Sequence, residues 1–342
     1  MTEPIYDPAP NDDIVARIKS LARERDAVIL AHNYERPEVQ DVADFVGDSL
    51  GLSREAARTG ANVIVFCGVH FMAETAAILS PEKTVLLPDM AAGCSLASTI
   101  DGAQLREWTN ELPGAIVVSY VNTTAEVKAE SDYCCTSGNA VEVVQSIPEE
   151  KEILFLPDMF LGAHVRRVTA RRNIHVWMGE CHVHAGIDPE HINLQRAAHP
   201  QAEFLIHPEC GCATPVVEAI SAGDIDPTGV HILSTEGMIK RPGDSPADEF
   251  IVATEVGILH RLRRAHPTKT FYAANDRAQC AYMKVTTLPK VRHALDTLTH
   301  QITVPDDVAA RARRAIERMI AIGGRGGPAL SPFRTSDEDP GE

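Results

Sequence analysis

Between Trp177 and Gly186 the chain reads Trp-Met-Gly-Glu-Cys-His-Val-His-Ala-Gly, which packs a thiol and two imidazoles (Cys181, His182, His184) into four residues. A thiolate and an imidazole this close can share one site. Gly179 and Gly186 let backbone approach a ligand there. Taken alone, the stretch equally describes a buried cysteine beside a surface histidine loop. Its weight comes from what stands elsewhere in the chain.

The eight cysteines are Cys67, Cys94, Cys134, Cys135, Cys181, Cys210, Cys212 and Cys280. They are too sparse for a disulfide scaffold, and no pair forms C-x-x-C, so a zinc ribbon is absent. A thiol site would have to draw cysteines together from distant parts of the chain. The net charge of −16 over 342 residues argues against unspecific nucleic-acid binding. Arg261, Arg263 and Arg264 read as a solvated helix face. No apolar run approaches the roughly 20 residues of a membrane helix. The opening residues carry no secretory pattern, so a cytoplasmic, reducing location is expected.

The elements that must position these residues alternate strand and helix. A helix is predicted over 12–25 and a buried strand over 28–31, ending in His32-Asn33-Tyr34. A helix over 41–50, interrupted by Gly47-Asp48-Ser49, leads to another over 53–58. Strands follow at 63–66 and 84–87 around a helix at 73–79. The pattern repeats with a strand at 115–118, a helix at 140–146 and a strand at 153–156. A third round has strands at 203–206 and 230–233, helices at 215–220 and 250–264, and a last strand at 269–273. A basic helix over 304–322 closes the sequence before an acidic tail. This order predicts an α/β fold of three αβα units with parallel sheets. The expected divisions are 12–105, with a C-terminal helix returning onto it, then 106–185 and 186–300. A C-terminal helix at 301–330 and a disordered tail at 331–342 would follow.

An internal repeat organises the chemistry. First strands end in His32/Tyr34, Tyr120/Asn122 and His207/Glu209, at intervals of 88 and 87 residues. Spacing by two sends both side chains of each pair to one face. The strands after Pro81, Pro148 and Pro267 align as third strands, ending near Asp89, Asp158 and Asn275. Cys94 and Cys280 each lie five residues beyond such a marker, whereas the second repeat has Ala163 there. Cys181 would fill that gap from the following loop. Because ligands of open parallel sheets sit beyond the carboxyl ends of the strands, a pseudo-threefold arrangement would point all three sets into one central cavity.

With these motifs in view, the chain resembles the quinolinate synthase family. The matching stretches include Ala31-His32-Asn33-Tyr34, Gly47-Asp48-Ser49-Leu50, Gly93-Cys94-Ser95-Leu96-Ala97, Ser119-Tyr120-Val121-Asn122-Thr123 and Cys135-Thr136-Ser137-Gly138. Pro157-Asp158-Met159, Gly179-Glu180-Cys181-His182-Val183-His184, His207-Pro208-Glu209-Cys210 and Tyr282-Met283-Lys284 continue the set in the family's order. The resemblance implies a [4Fe-4S] cluster held by Cys94, Cys181 and Cys280, with one iron left open as a Lewis acid. It implies condensation of iminoaspartate with dihydroxyacetone phosphate to quinolinate, with loss of phosphate and two waters, in de novo NAD biosynthesis. A functional link to L-aspartate oxidase goes with that reaction. His207 and Glu209 match the family's acid–base pair, and Tyr34 matches its proton-transfer tyrosine. His32, Tyr120, Asn122 and His184 match cavity-lining residues, and Ser49, Ser137 and Thr235 match hydroxyls that hold phosphate or carboxylate. The chain departs from the family at Ala274, Arg277 and Ala281 around the last cysteine, and at Leu233 before Ser234-Thr235.

Plainer readings cover the rest. Cys67, Cys134 and Cys135 read as packing residues. Cys210 and Cys212 rival the cluster set, because Cys-Gly-Cys beside His207 could bind metal. His70 and His164 could line the cavity or be structural. From other classes, a non-catalytic iron–sulfur regulator or electron carrier, and a zinc- or iron-dependent hydrolase using His182, His184 and His207, stay open. The array of polar residues at strand ends favours an enzyme.

Overall fold

Uninterrupted apolar runs such as Val28-Ile29-Leu30-Ala31 become strands buried on both faces, as parallel sheets under helices require. The computed structural model describes residues 12–222 and 227–323. The tail expected over 331–342 and the last part of the expected C-terminal helix lie outside the described residues.

Among the described residues, twelve strands form three four-stranded parallel sheets. The first sheet holds β1 (Ala27–His32), β2 (Phe45–Gly47), β3 (Val63–Cys67) and β4 (Thr84–Leu86). The second holds β5 (Ile116–Tyr120), β6 (Tyr133–Cys135), β7 (Ile153–Leu156) and β8 (Ile174–Val176). The third holds β9 (Glu203–Ile206), β10 (Val230–Ile232), β11 (Glu249–Ala253) and β12 (Thr270–Ala273). Each sheet has the same order, with its second strand at one edge, then the first, third and fourth. The chain leaves the first strand toward one edge and returns past it, so a switch point opens beside the end of each first strand.

The sequence pattern does not reveal β2, β6 or β11, and β2 and β6 are edge strands of only three residues each. Residues 250–264 are not one helix: Phe250–Ala253 belong to β11, and the helix is Ile258–Ala265. Residues 41–50 likewise divide into the end of helix Pro37–Val42, β2, and the start of helix Ser49–Arg58.

Two late helices tie the units together. Helix Leu288–Thr297 buries Val291 and Leu295 against Ile18 and Leu21 of the first helix, Asp12–Glu24, on one face of the first sheet. Helix Asp306–Ala321 buries Ala312, Ala315, Ile316 and Met319 in the core shared by all three sheets. Its end is fixed by Asn139 Nδ2, which donates to Met319 O at 2.9 Å and Ile322 O at 2.8 Å. Among the described residues no helix is long and apolar enough to cross a membrane.

Candidate active site

Strand register makes the repeat explicit. Ala31 pairs with Cys67, Ser119 with Leu156 and Ile206 with Ala253 across the first and third strands of their sheets. His32, Tyr120 and His207, each one residue further on, are therefore equivalent, as are Tyr34, Asn122 and Glu209. His32 pairs with Gly47 and Tyr120 with Cys135, while Leu233 N donates to Ile206 O. Two residues past Gly47, Cys135 and Leu233 come Ser49, Ser137 and Thr235, a third equivalent set.

The fourth strands correct the sequence reading. β8, not β7, is the counterpart of β4 and β12, and it leads to Cys181 as they lead to Cys94 and Cys280. Ala163 lies in helix Met159–Thr169, after a third strand, so no cysteine is missing there. Three cysteines thus follow three equivalent strands.

All three sets empty into one cavity with about 700 Å³ of empty space including its mouth, in the size range of small-molecule sites. Cys94, Cys181 and Cys280 line it, with His32, Tyr34 and Ser49 from the first sheet. Tyr120, Asn122 and Ser137 come from the second; His207, Glu209 and Thr235 come from the third, with His184 from the loop after β8. The residues to which the family resemblance gives a catalytic, substrate or cluster role all line this cavity. His70 and His164 are elsewhere: His70 Nδ1 is 3.7 Å from Glu74, and His164 Nδ1 accepts from Arg167 at 3.1 Å. His182 Nδ1 hydrogen-bonds Ser95 Oγ at 2.6 Å, and the ligand atoms that cluster in the cavity are those of Cys181, His184 and Glu209 rather than of the three histidines.

Glu209 is the hub. Its Oε1 accepts from the Tyr120 hydroxyl and lies 3.7 Å from His207 Nδ1, and its Oε2 lies 3.3 Å from His184 Nδ1. His184 and His207 stack with ring centroids 4.9 Å apart. His207 Nε2 hydrogen-bonds Ser137 Oγ at 3.1 Å. Tyr34 Oη meets Thr254 Oγ1 at 2.5 Å, and Thr254 Oγ1 also lies 2.9 Å from His184 Nε2.

Burial would raise the Glu209 pKa, but His207, His184 and the Tyr120 hydroxyl overcome it and hold the carboxyl down to about 2. Burial lowers His207 and His32 to about 3 each, against the pull of Glu209. Burial and the Glu209 charge push both Tyr34 and Tyr120 well above the ordinary phenol value. Burial also works against charge on His184, yet Cys181 and Glu209 outweigh it and raise its pKa. The resting site is a carboxylate ringed by neutral phenols and imidazoles, with one cationic imidazole.

The three thiols are free and partly buried. Burial pushes Cys94 up to about 12, and the neighbouring Cys181 and Cys280 add to it; burial, then Glu255 and Cys181, push Cys280 up to about 11. Thiols that resist ionisation, as Cys94 and Cys280 do, suit a cationic metal centre, which would stabilise them as thiolates. The donor set fits a metal group with three thiolate ligands. The rival Cys210–Cys212 is a buried disulfide, so neither offers a thiol. Cys67, Cys134 and Cys135 are fully buried at strand ends, as packing residues should be.

Some participants were not legible in the sequence. Thr254 and Glu255 follow β11, which was read as helix, and Glu255 lines the cavity. Its Oε1 accepts from Cys280 N at 3.0 Å and lies 3.0 Å from Lys284 Nζ, which also donates to Tyr34 O. Arg261 is not merely solvated: its Nη1 donates to Asn33 Oδ1 at 2.7 Å and to Glu236 at 3.0 Å. Asn33 Nδ2 in turn donates to Thr235 Oγ1 at 3.0 Å. Ser49 and Thr235 open helices of ten residues, but Ser137 precedes the helix Ala140–Gln145 by three residues and sits in a turn.

Comparison with known proteins agrees with this architecture. The family described as quinolinate synthetase A protein (NadA) matches residues 16–321. A quinolinate synthase from Mycobacterium sp. (strain KMS) is 57% identical over 321 residues, covering 94% of this chain and 95% of its own length. One from Thermus thermophilus is 58% identical over 310 residues, covering 91% of this chain and 97% of its own. With the repeat, the cavity and these matches in agreement, the chain belongs to the quinolinate synthetase A family.

Proposed function

We propose that this quinolinate synthase condenses iminoaspartate with dihydroxyacetone phosphate in the cavity at the ends of the three sheets, releasing phosphate and two waters. The observation that carries the reading is the meeting there of three free thiols from equivalent loops with the Tyr120–Glu209–His207 cluster. Cys94, Cys181 and Cys280 would hold a [4Fe-4S] cluster, which when bound supplies an open iron as Lewis acid for the dehydrations.

The chain's own groups supply the rest. Glu209, a carboxylate at neutral pH, accepts a proton at Oε1 or Oε2, and His207, a neutral imidazole, exchanges a proton through Nε2, the nitrogen that faces Ser137. Tyr34 and Tyr120 stay protonated and orient substrate oxygens through their hydroxyls. His32, Asn122 and His184 line the cavity as hydrogen-bonding walls. Asn122 Oδ1 is buried without a partner, so a substrate donor would satisfy it. Ser49, Ser137 and Thr235 hold phosphate and carboxylate oxygens, and free N–H groups at the helix starts by Ser49 and Thr235 favour such anions. The substrate imine hydrolyses in water, so a supplier of the L-aspartate oxidase type would act beside this enzyme.

Anaerobically prepared protein tests this. It should contain about four iron and four sulfide per chain, absorb broadly in the visible, and form quinolinate from the two substrates. Serine at Cys94, Cys181 or Cys280 should empty the site. If Cys212→Ser empties it while Cys280→Ser leaves it full, the ligand set is wrong.

A further inference from the structure

One corner of the cavity has the form of a second, smaller metal site. Ligand atoms of Cys181, His184 and Glu209 all lie within 4.8 Å of one another. His184 Nδ1 and Glu209 Oε2 are 3.3 Å apart, yet Nδ1 is buried and makes no hydrogen bond. Two ligands at about 2.0–2.2 Å from one tetrahedral ion stand about 3.4 Å apart, which is nearly this separation. A thiolate on the same ion needs about 3.6 Å to each neighbour, so a sulfur within 4.8 Å of both must close by about 1.2 Å at most.

The imidazole is oriented for this use. Its Nε2 faces Thr254 Oγ1 at 2.9 Å and Tyr34 Oη at 3.4 Å, so these hydroxyls hold the ring by that nitrogen, while Nδ1, turned toward Glu209, gives up its proton when a cation binds between them. Metal-bound histidines are commonly fixed in this way through their other nitrogen. Thiolate, imidazole and carboxylate together, with a fourth position open to the cavity, suit zinc better than magnesium or calcium.

We infer that the chain lacking its cluster binds one zinc-class divalent cation through Cys181 Sγ, His184 Nδ1 and a Glu209 carboxylate oxygen, and that this ion excludes the cluster. The exclusion rests on the proposed cluster role of Cys181, since one sulfur would be claimed by both. Binding displaces the Cys181 thiol proton and occupies Glu209, so a zinc-loaded chain is inactive twice over. Such an ion would make cluster assembly sensitive to free zinc.

Cobalt(II) provides the test, because its spectrum reports ligands without any need for catalysis. The full chain, freed of iron by an anaerobic chelator and checked for folding by circular dichroism, is titrated with cobalt and then with zinc. One cobalt per chain is expected, with thiolate charge-transfer bands, intense tetrahedral visible bands, and displacement by zinc. Cys181→Ser should abolish the charge-transfer band and His184→Ala should abolish tight binding. Thr254→Val should weaken binding about 10–100-fold. Cys94→Ser and Cys280→Ser should leave the spectrum intact, which separates this site from the cluster ligands. Zinc added before iron and sulfide should lower iron uptake in proportion to its occupancy. Bands that survive His184→Ala, that vanish in Cys94→Ser, or that never form would overturn the site. Undiminished iron uptake by the zinc-loaded chain would overturn the exclusion. Iron and sulfide content of the metal-free chain after reconstitution independently reports whether the three-cysteine assignment holds.

Discussion

Tyr120 and Glu209, carried by the first strands of two different sheets, meet in the cavity, where the phenol hydroxyl donates to Oε1 of the carboxylate. The contact joins two units at the place where proton transfer is proposed. Glu209→Gln keeps the size and can still accept from Tyr120, but it cannot take a proton. Turnover should fall by roughly 10²–10⁴-fold while iron content stays that of the parent. Tyr120→Phe removes only one hydrogen bond to a charged group, and should cost about 1.5–3 kcal/mol at that step. Steady-state rates normalised to iron measure both; near-normal turnover in Glu209→Gln would remove it from the chemistry.

Ser137 Oγ lies 3.1 Å from His207 Nε2 at the cavity wall, and Ser49 stands at the equivalent place in the first sheet. Alanine at either position should raise KM more than it lowers kcat. One neutral hydrogen bond is worth about 0.5–1.5 kcal/mol, or roughly 2–10-fold. Unchanged KM for both substrates would show that these hydroxyls hold neither.

Glu255 and Lys284 form a buried ion pair at 3.0 Å, under Cys280 N and Tyr34 O. Glu255→Ala leaves the ammonium buried without its counter-charge, and should destabilise by about 3–5 kcal/mol. Glu255→Ala combined with Lys284→Met removes both charges, so it should cost less than the single change. Urea unfolding of Glu255→Ala, Lys284→Met and the double variant decides this, and additive losses would contradict it.

Glu203 is held below the usual carboxylate range; burial opposes this, but Arg241 and Ser245 outweigh it. Arg241 Nε and Nη2 donate to its two oxygens at 3.0 and 2.9 Å, and Ser245 Oγ donates at 2.6 Å. Because the folded pKa is the lower one, its stabilisation is complete above the unfolded value of about 4.3 and disappears as pH falls through the folded value. Glu203→Gln should therefore be less stable than the parent at neutral pH, and the gap should close on acidification. Melting curves across that range would show a constant gap if Glu203 contributed no pH dependence.

The sequence by itself determined the central strands, since a strand covered by helices on both faces must be apolar at every position, as Val28 to Ala31 and Ile153 to Leu156 are. It also determined the paired polar residues at first-strand ends, because they recur at intervals of 88 and 87 residues, although the second of each pair lies in the turn beyond the strand. Edge strands were another matter. β2 and β6 are three residues long, and β2 includes a glycine, so local pattern could not separate them from loops. Phe250 to Ala253 merged with the amphipathic run that follows, and this hid β11 and with it Thr254 and Glu255. Had that strand been recognised, the two-residue rule would have marked Glu255 beside Asp158. Only the tertiary structure showed that Cys181 is the direct counterpart of Cys94 and Cys280. Equivalence of that kind is defined by which strands share hydrogen bonds, and those bonds join residues that are far apart along the chain.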